Sequence, residues 1–404
     1  MIQLNQSDVA ILQRAFGLVQ AGDVAGAAGA FRALRAAARQ HHDALFVGAM
    51  IARAQARPRD ARQMLEQALK AAPAHPQLWN AYGNLLSDMG EGAAAITALT
   101  RATAIDPRNA EAWVNLGIVA TQEKQFDVAR AALGEATRRA PGDPRGWSAL
   151  GALEQAAGSP AEAVRAYHAA IAAHPGDLAS RHNLATALRD LDQREAALAE
   201  MEAAIRAGLT APESGTIRAH LLAELGYFDA AVEQYEQVLA RHPAHLDAHE
   251  TLARLLPQIG RGGEELGSYR RAVAAAPLDA ALWHSAIATA RAIGDGAQML
   301  DLAQRAEAML GRSSDLALAR AGAHILLGDR DAASRVLEDV QRIEPNNAGV
   351  HANLAYLRLA SGDPKAAEGH ALRLGQLVPH DQSGWALLTL IWRTTSGMMK
   401  LRSR

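Results

Sequence analysis

Proline comes back every 34 residues. Pro73, Pro107, Pro141 and Pro175 are each 34 apart, and Pro243, Pro277, Pro345 and Pro379 keep the same phase. Trp79, Trp113, Trp147, Trp283 and Trp385 share a second phase. A register held this strictly restricts the chain to a stacked-repeat architecture, and about 34 residues is the length of one helix–turn–helix unit. Counted from Asp8, eleven units begin at 8, 42, 76, 110, 144, 178, 212, 246, 280, 314 and 348 and run without insertion to Asp381. A half unit, residues 382–392, follows, and residues 393–404 form a short basic tail. A length of 404 residues would otherwise predict two or three globular domains. The period instead predicts one array in which each unit packs on its neighbours, without a central core.

Each unit reads as two helices of about 12 to 14 residues joined by a tight turn. The turn falls at the fifteenth residue, where Gly22, Gly90, Gly158, Gly226, Gly260, Gly294, Gly328 and Gly362 stand. Glycine ends a helix in left-handed backbone at little steric cost. Five residues later the two helices cross, and nine units place alanine there, among them Ala27, Ala95, Ala129 and Ala231. The proline near the end of most units stops the second helix. The first unit is degenerate, with Arg39 in the proline phase. Units eight and nine break the crossing rule with Glu265 and Met299, and Pro257 falls inside a first helix. These two units are therefore expected to be the soft stretch of the array.

The combination W-x2-L-G, a small residue in the second helix and a closing proline resembles the tetratricopeptide repeat family. It is complete in Trp113, Leu116, Gly117, Ala129 and Pro141, and in Trp147, Leu150, Gly151, Ala163 and Pro175. The resemblance covers nearly the whole chain. It implies an all-α, right-handed superhelical solenoid whose first helices line a concave groove, with residues two, five, six and nine of each unit facing a ligand. Those positions hold Asn80, Asn84, Asn115, Arg145, His182 and Asn183 in units three to six. Family members that grip a peptide carboxylate carry Asn at the sites of Asn84 and Asn115 and a basic residue at the site of Arg145. This sequence departs from them, with Asn80 and Ala149 where two further basic residues are usual. Members that hold extended peptides by the backbone use an Asn ladder, here present only at Asn115, Asn183 and Asn353. Ordinary polar surface is the competing reading of the same residues.

The function implied is a protein- or peptide-binding scaffold holding an extended, somewhat acidic segment in the groove. The alternative is the substrate-recruiting array of a larger bacterial enzyme of sulfotransferase, glycosyltransferase or 2-oxoglutarate/Fe(II) oxygenase type, its catalytic domain lying elsewhere. No Ser/His/Asp arrangement or paired-carboxylate motif stands out from the repeat, so no catalytic residue, cofactor or metal is expected. His242, His245 and His249 are three histidines in eight residues, but His242 precedes a helix-stopping proline and no acidic ligand completes a motif. Gly90-Glu91-Gly92 and the Gly260–Gly267 run lie at inter-helix turns, not between a strand and a helix as dinucleotide binding needs. With 41 basic and 43 acidic residues the formal charge is −2, and no basic stripe accompanies the tryptophans, so nucleic acid is not an expected partner. The absence of Cys excludes disulfides. The N-terminus lacks the features of a secretory signal and no apolar run of about 18 residues occurs, so a cytoplasmic protein without a membrane span is expected. The apolar half unit, with Leu387, Leu388, Leu390, Ile391 and Trp392, is expected to be covered, by further chain or by a second copy.

Overall fold

Every unit folds as an antiparallel helix pair. The computed structural model describes residues 3–380 and 385–393 and forms two compact units, Met1–Thr210 and Ala211–Arg404. In the first, the pairs are α1 (Gln6–Gln20) with α2 (Val24–Arg32), α3 (His42–Ala54) with α4 (Pro58–Ala71), and α5 (Pro76–Asp88) with α6 (Gly92–Ile105). Then come α7 (Ala110–Gln122) with α8 (Phe126–Arg139), α9 (Pro144–Ala156) with α10 (Pro160–Ala173), and α11 (Leu178–Asp190) with α12 (Arg194–Arg206). In the second, α13 (Pro212–Glu224) pairs with α14 (Phe228–Arg241), α15 (Leu246–Gln258) with α16 (Glu265–Ala275), and α17 (Ala280–Ala292) with α18 (Gly296–Leu310). The last pairs are α19 (Ser314–Leu326) with α20 (Arg330–Ile343) and α21 (Ala348–Ala360) with α22 (Pro364–Leu377). Residues 385–393 are helical, and Leu388 and Ile391 are buried against Ala355, Ala367 and Ala371. The rest of the half unit, residues 382–384, and the basic tail beyond Arg393 lie outside the described residues. Among the described residues there is no strand, and the fold is all-α, of the helical-repeat solenoid class.

The elements begin where local chemistry starts them. Proline occupies the first turn of α4, α5, α9, α10, α13 and α22, where its fixed φ suits the helix and its missing N–H is not needed. Elsewhere a side chain caps the helix, as Asn109, Asp177, Ser313 and Asn347 do. In unit one, which lacks the proline, a 3-10 turn at Ala38–Gln40 takes its place. At the fifteenth position the backbone is left-handed in all eleven units. Eight are the glycines, with φ near 80°; the other three are Ala56 (φ 55°), Lys124 (φ 58°) and Asp192 (φ 63°).

The helices of a pair cross at near contact. Alanine at the crossing position is buried wherever it occurs, and Glu265 and Met299 are buried there too. The reason for Gly117 is equally direct: a Cβ at that position would lie 2.3 Å from Leu133 Cγ. Between units a different contact recurs. The indole N–H of Trp79 donates to the carbonyl of Pro73 at 2.8 Å, Trp113 to Pro107 at 3.0 Å, Trp147 to Pro141 at 2.9 Å and Trp283 to Pro277 at 2.9 Å. His249 and His351 bond the same way through Nε2 to Pro243 and Pro345, both at 2.9 Å.

Units eight and nine are less alike than the sequence suggests. In unit eight α16 begins at Glu265, whereas the equivalent of Phe228, where α14 begins, is Gly262. The delay follows from Gly263, at φ 116°, whose N–H bonds to the buried Glu265 carboxylate at 2.5 Å. Pro257 falls in the last turn of α15, so it costs one hydrogen bond near an end that frays anyway. Unit nine is well packed. Ile287 and Met299 are buried with Trp283, Leu302 and Leu316 in one cluster. Room for the methionine comes from Gly322, where a Cβ would stand 3.3 Å from Met299 Cε.

The three non-glycine turns give a direct test. Left-handed backbone costs an L-residue about 1–2 kcal/mol, part of which glycine gives back as chain entropy. Ala56→Gly and Lys124→Gly are each expected to stabilise the protein by about 0.5–1 kcal/mol in equilibrium urea unfolding. A loss of stability in both would contradict the turn geometry.

Candidate binding groove

The period places positions two, five, six and nine of successive first helices on one face. In the first unit, α1, α3 and α5 border a cleft of about 600 Å3 on that face. Val9, Leu12 and Phe16 of α1 with Phe46, Val47 and Met50 of α3 form a mainly apolar wall, to which α1 also contributes Gln13 and Gln20. Gln77, Asn80 and Asn84 of α5, with Asn109 and Glu111 at the start of α7, form a polar one. Asp43 and Arg53 of α3 stand at its border, and Arg53 is paired with Asp88. A smaller hollow of about 260 Å3 continues from Asn84 to Asn115 and Gln122.

The six residues singled out from the sequence separate into two groups. Asn80, Asn84 and Asn115 come together along these hollows, and Asn115 Nδ2 donates to Asn80 Oδ1 at 2.9 Å. Arg145, His182 and Asn183 do not line either one. Arg145 is exposed at the start of α9, and its guanidinium bonds both carboxylate oxygens of Asp143, the closest contact being 2.7 Å. That bond holds the Asp143 carboxyl below the usual carboxylate range and raises Arg145 further. Asn183 hydrogen-bonds the phenol of Tyr167, whose own hydroxyl donates to Gln155 at 3.1 Å. Burial pushes that phenol up to about 12. His182 is half-buried on α11, and its carbonyl accepts from the Thr186 hydroxyl.

The apolar wall is not legible in the sequence because units one and two match the repeat pattern poorly. A signal is present: positions two, five and nine of unit one, Val9, Leu12 and Phe16, are all apolar where unit three has Gln77, Asn80 and Asn84.

Polar groups on first helices also bond their counterparts one unit on. Ser87 meets Gln122 at 3.5 Å, Gln155 meets Asp190 at 3.4 Å, and in the second unit Ser285 meets Glu250 at 3.2 Å. Each spans 35 residues, as Asn80 and Asn115 do.

The three clustered histidines have structural work instead. His245 caps α15, accepting from the Ala248 N–H at 3.3 Å. His249 is buried, donating from Nε2 to the Pro243 carbonyl while Nδ1 meets the Ser268 hydroxyl at 2.7 Å. His242 is the C-cap residue of α14.

Comparison with known proteins agrees with this architecture. Models described as tetratricopeptide repeat match residues 47–88, 86–153, 144–187, 217–280 and 324–391, together about two thirds of the chain. The chain belongs to the tetratricopeptide repeat family, and so to a class of protein-interaction scaffolds in general. Solved structures similar to it include MamA, at 22% identity and a TM-score of 0.37, covering 39% of this chain and 93% of that one. PilF of Pseudomonas aeruginosa is 20% identical with a TM-score of 0.47, covering 53% and 97%. PilW, a type IV pilus biogenesis factor, is 19% identical with a TM-score of 0.43, covering 62% and 100%. No curated protein sequence matches. No helix among the described residues is long and apolar enough to cross a membrane.

The histidine contacts predict an acid response. Burial lowers the basicity of His249, and burial together with the adjacent His351 lowers that of His370, whose Nδ1 is 3.0 Å from His351 Nδ1. A folded value below the ordinary imidazole pKa of about 6.5 means that the unfolded chain takes up protons first as pH falls. Stability from these groups is therefore complete above about pH 6.5 and declines as the pH drops below it. His249→Gln keeps an N–H donor for Pro243 and removes the titration. Urea unfolding at about pH 7.5 and pH 5.5 is expected to show a shallower decline for this variant than for wild type. Identical declines would show that His249 does not carry the effect.

Proposed function

We propose that the protein is a binding scaffold, not a catalyst, and that it holds an extended segment of a protein partner in the cleft between α1, α3 and α5. The observation that carries this reading is the cleft's division into an apolar wall and an amide wall. An extended peptide has side chains to bury and backbone N–H and C=O groups that must be paired once water leaves. Phe16, Phe46 and Met50 offer the first; Asn80, Asn84 and Gln77, each with donor and acceptor, offer the second. The Asn80–Asn115 bond uses one group of each amide. The Asn80 NH2 and the Asn115 oxygen are what a partner's backbone can use. The preference for an acidic segment belongs to the neighbourhood of Arg145, where a partner's carboxylate would replace Asp143 on the guanidinium.

A photo-crosslinking amino acid at Asn84 is expected to capture a partner from extract, whereas the same group at Arg165, exposed on second helix α10, captures none. With that partner in hand, Asn80→Ala should weaken binding by about 0.5–1.5 kcal/mol. Phe16→Ala should weaken it by about 1.5–3 kcal/mol if the ring is fully covered. Capture at Arg165 without capture at Asn84 would move the binding surface to the second helices.

A further inference from the structure

Among the described residues, one trio of ligand-type side chains converges: His41, His42 and Asp43 at the start of α3. One ligand atom from each lies within 4.8 Å of the others. His41 Nδ1 is 3.5 Å from Asp43 Oδ2, and His42 Nε2 is 3.4 Å from Asp43 Oδ1. These separations are too long for closed charge-assisted hydrogen bonds, which run at about 2.7–2.9 Å. Each histidine nitrogen faces a different oxygen of the carboxylate, at separations close to the edge of roughly 3.3 Å in a tetrahedron with metal–ligand bonds of about 2.0–2.1 Å. The imidazole rings of His41 and His42 are 4.1 Å apart.

A third imidazole stands beside this trio. His75, 34 residues after His41, occupies the equivalent N-cap position at the start of α5, where its side chain makes no cap hydrogen bond. Its ring is 5.6 Å from that of His42. Its Nδ1 is buried and has no hydrogen-bond partner, a state that costs free energy unless something satisfies it. A lone pair on a buried imidazole is satisfied by a donor or by a metal ion.

We propose that His41, His42 and Asp43 form a binding site for a divalent transition metal of the Zn2+ type, with the His75 ring lying beside it. Two imidazoles and one carboxylate make a donor set suited to Zn2+, Co2+ or Ni2+ and poorly suited to Mg2+, which takes oxygen ligands. Two features oppose the ion. The N-terminus of α3 carries a partial positive charge, which the Asp43 carboxylate in the first turn offsets. His41 Nδ1 accepts a long bond of 3.2 Å from the Asp43 N–H, which ligation through that atom replaces. Asp43 also borders the cleft between α1, α3 and α5, so the ion sits beside that cleft. The site stands independently of the peptide-binding reading.

The test uses tag-free full-length chain, stripped with chelator and titrated calorimetrically with ZnCl2 and, separately, MgCl2. One Zn2+ per chain is expected, with no Mg2+ binding, and Zn2+ should raise the melting temperature. Removing even an outer-shell partner of a bound metal weakens affinity about 10–100-fold, so His42→Ala, Asp43→Ala and His75→Ala should each weaken Zn2+ by at least about tenfold. Each should also abolish the thermal shift. His168→Ala, an exposed histidine on α10, should change neither. Circular dichroism of the metal-free variants confirms their fold, and the milder His75→Gln replaces any that fails. Zn2+ binding that is absent in wild type, or unchanged in both His42→Ala and His75→Ala, overturns the assignment.

Discussion

The junction between repeats depends on one hydrogen bond, from a ring N–H at the fourth residue of a unit to the proline carbonyl six residues before it. Proline stops the second helix because it has no N–H and crowds the preceding turn. Its carbonyl is left at the helix end without an intrahelical partner. A Trp or His on the next first helix supplies the missing donor, at 2.8 to 3.0 Å in six units. A single such bond is worth only about 0.5–1.5 kcal/mol net. Its effect is larger than that figure because repeat stability is a sum over neighbouring interfaces, and the bond recurs at six of them.

The sequence itself shows the pairing. Every proline in this phase is followed six residues later by a side chain with an N–H to give: Trp79, Trp113, Trp147, Arg181, His249, Trp283, His351 and Trp385. Arg181 reaches the Pro175 carbonyl at 3.5 Å. Where the proline is replaced, by Arg39, Leu209 or Gly311, the partner position holds Leu45, Gly215 or Ala317, none of which has a side-chain donor. Two positions that change together within one chain must share a physical cause, and the hydrogen bond is that cause. It also explains why histidine stands in for tryptophan: Nε2–H reproduces the indole donor, and the second ring nitrogen needs its own partner, which Ser268 or His370 provides.

Helix pairs, turns and crossing residues were legible in the sequence because backbone geometry allows few residues at each of them. The left-handed turn held even at Ala56, Lys124 and Asp192, where the glycine signal was absent, since the neighbouring units fix the chain path. The second helix of unit eight starts three residues later than the 34-residue register places it, because consecutive glycines leave its start to the Glu265 carboxylate. In unit nine the sequence signal is Met299, standing where alanine recurs. Its volume is compensated by Gly322 in the following unit, and a packing fault can be judged only from both sides of the contact.

The groove was harder to read for a related reason. Residues that recur at fixed intervals do so because they pack, so a strict repeat records stability more than binding. Residues on the open face answer to no such constraint, and their departures from the pattern carry the information about ligands. Asn80, Asn84 and Asn115 were visible because they interrupt an apolar sequence. Val9, Phe16, Phe46 and Met50 were not, because apolar residues in a helical repeat look like core until the fold shows a cleft beside them. Arg145 stands differently: the capping carboxylate of Asp143, two residues away, already holds its guanidinium, and a ligand carboxylate would have to replace it. Its energetic cost to a ligand is that of exchanging one carboxylate for another, which cancels most of the electrostatic gain. On the proposed reading, selectivity at such a face comes mainly from groups whose pairing is incomplete in the free protein, here the amides of Asn80 and Asn115.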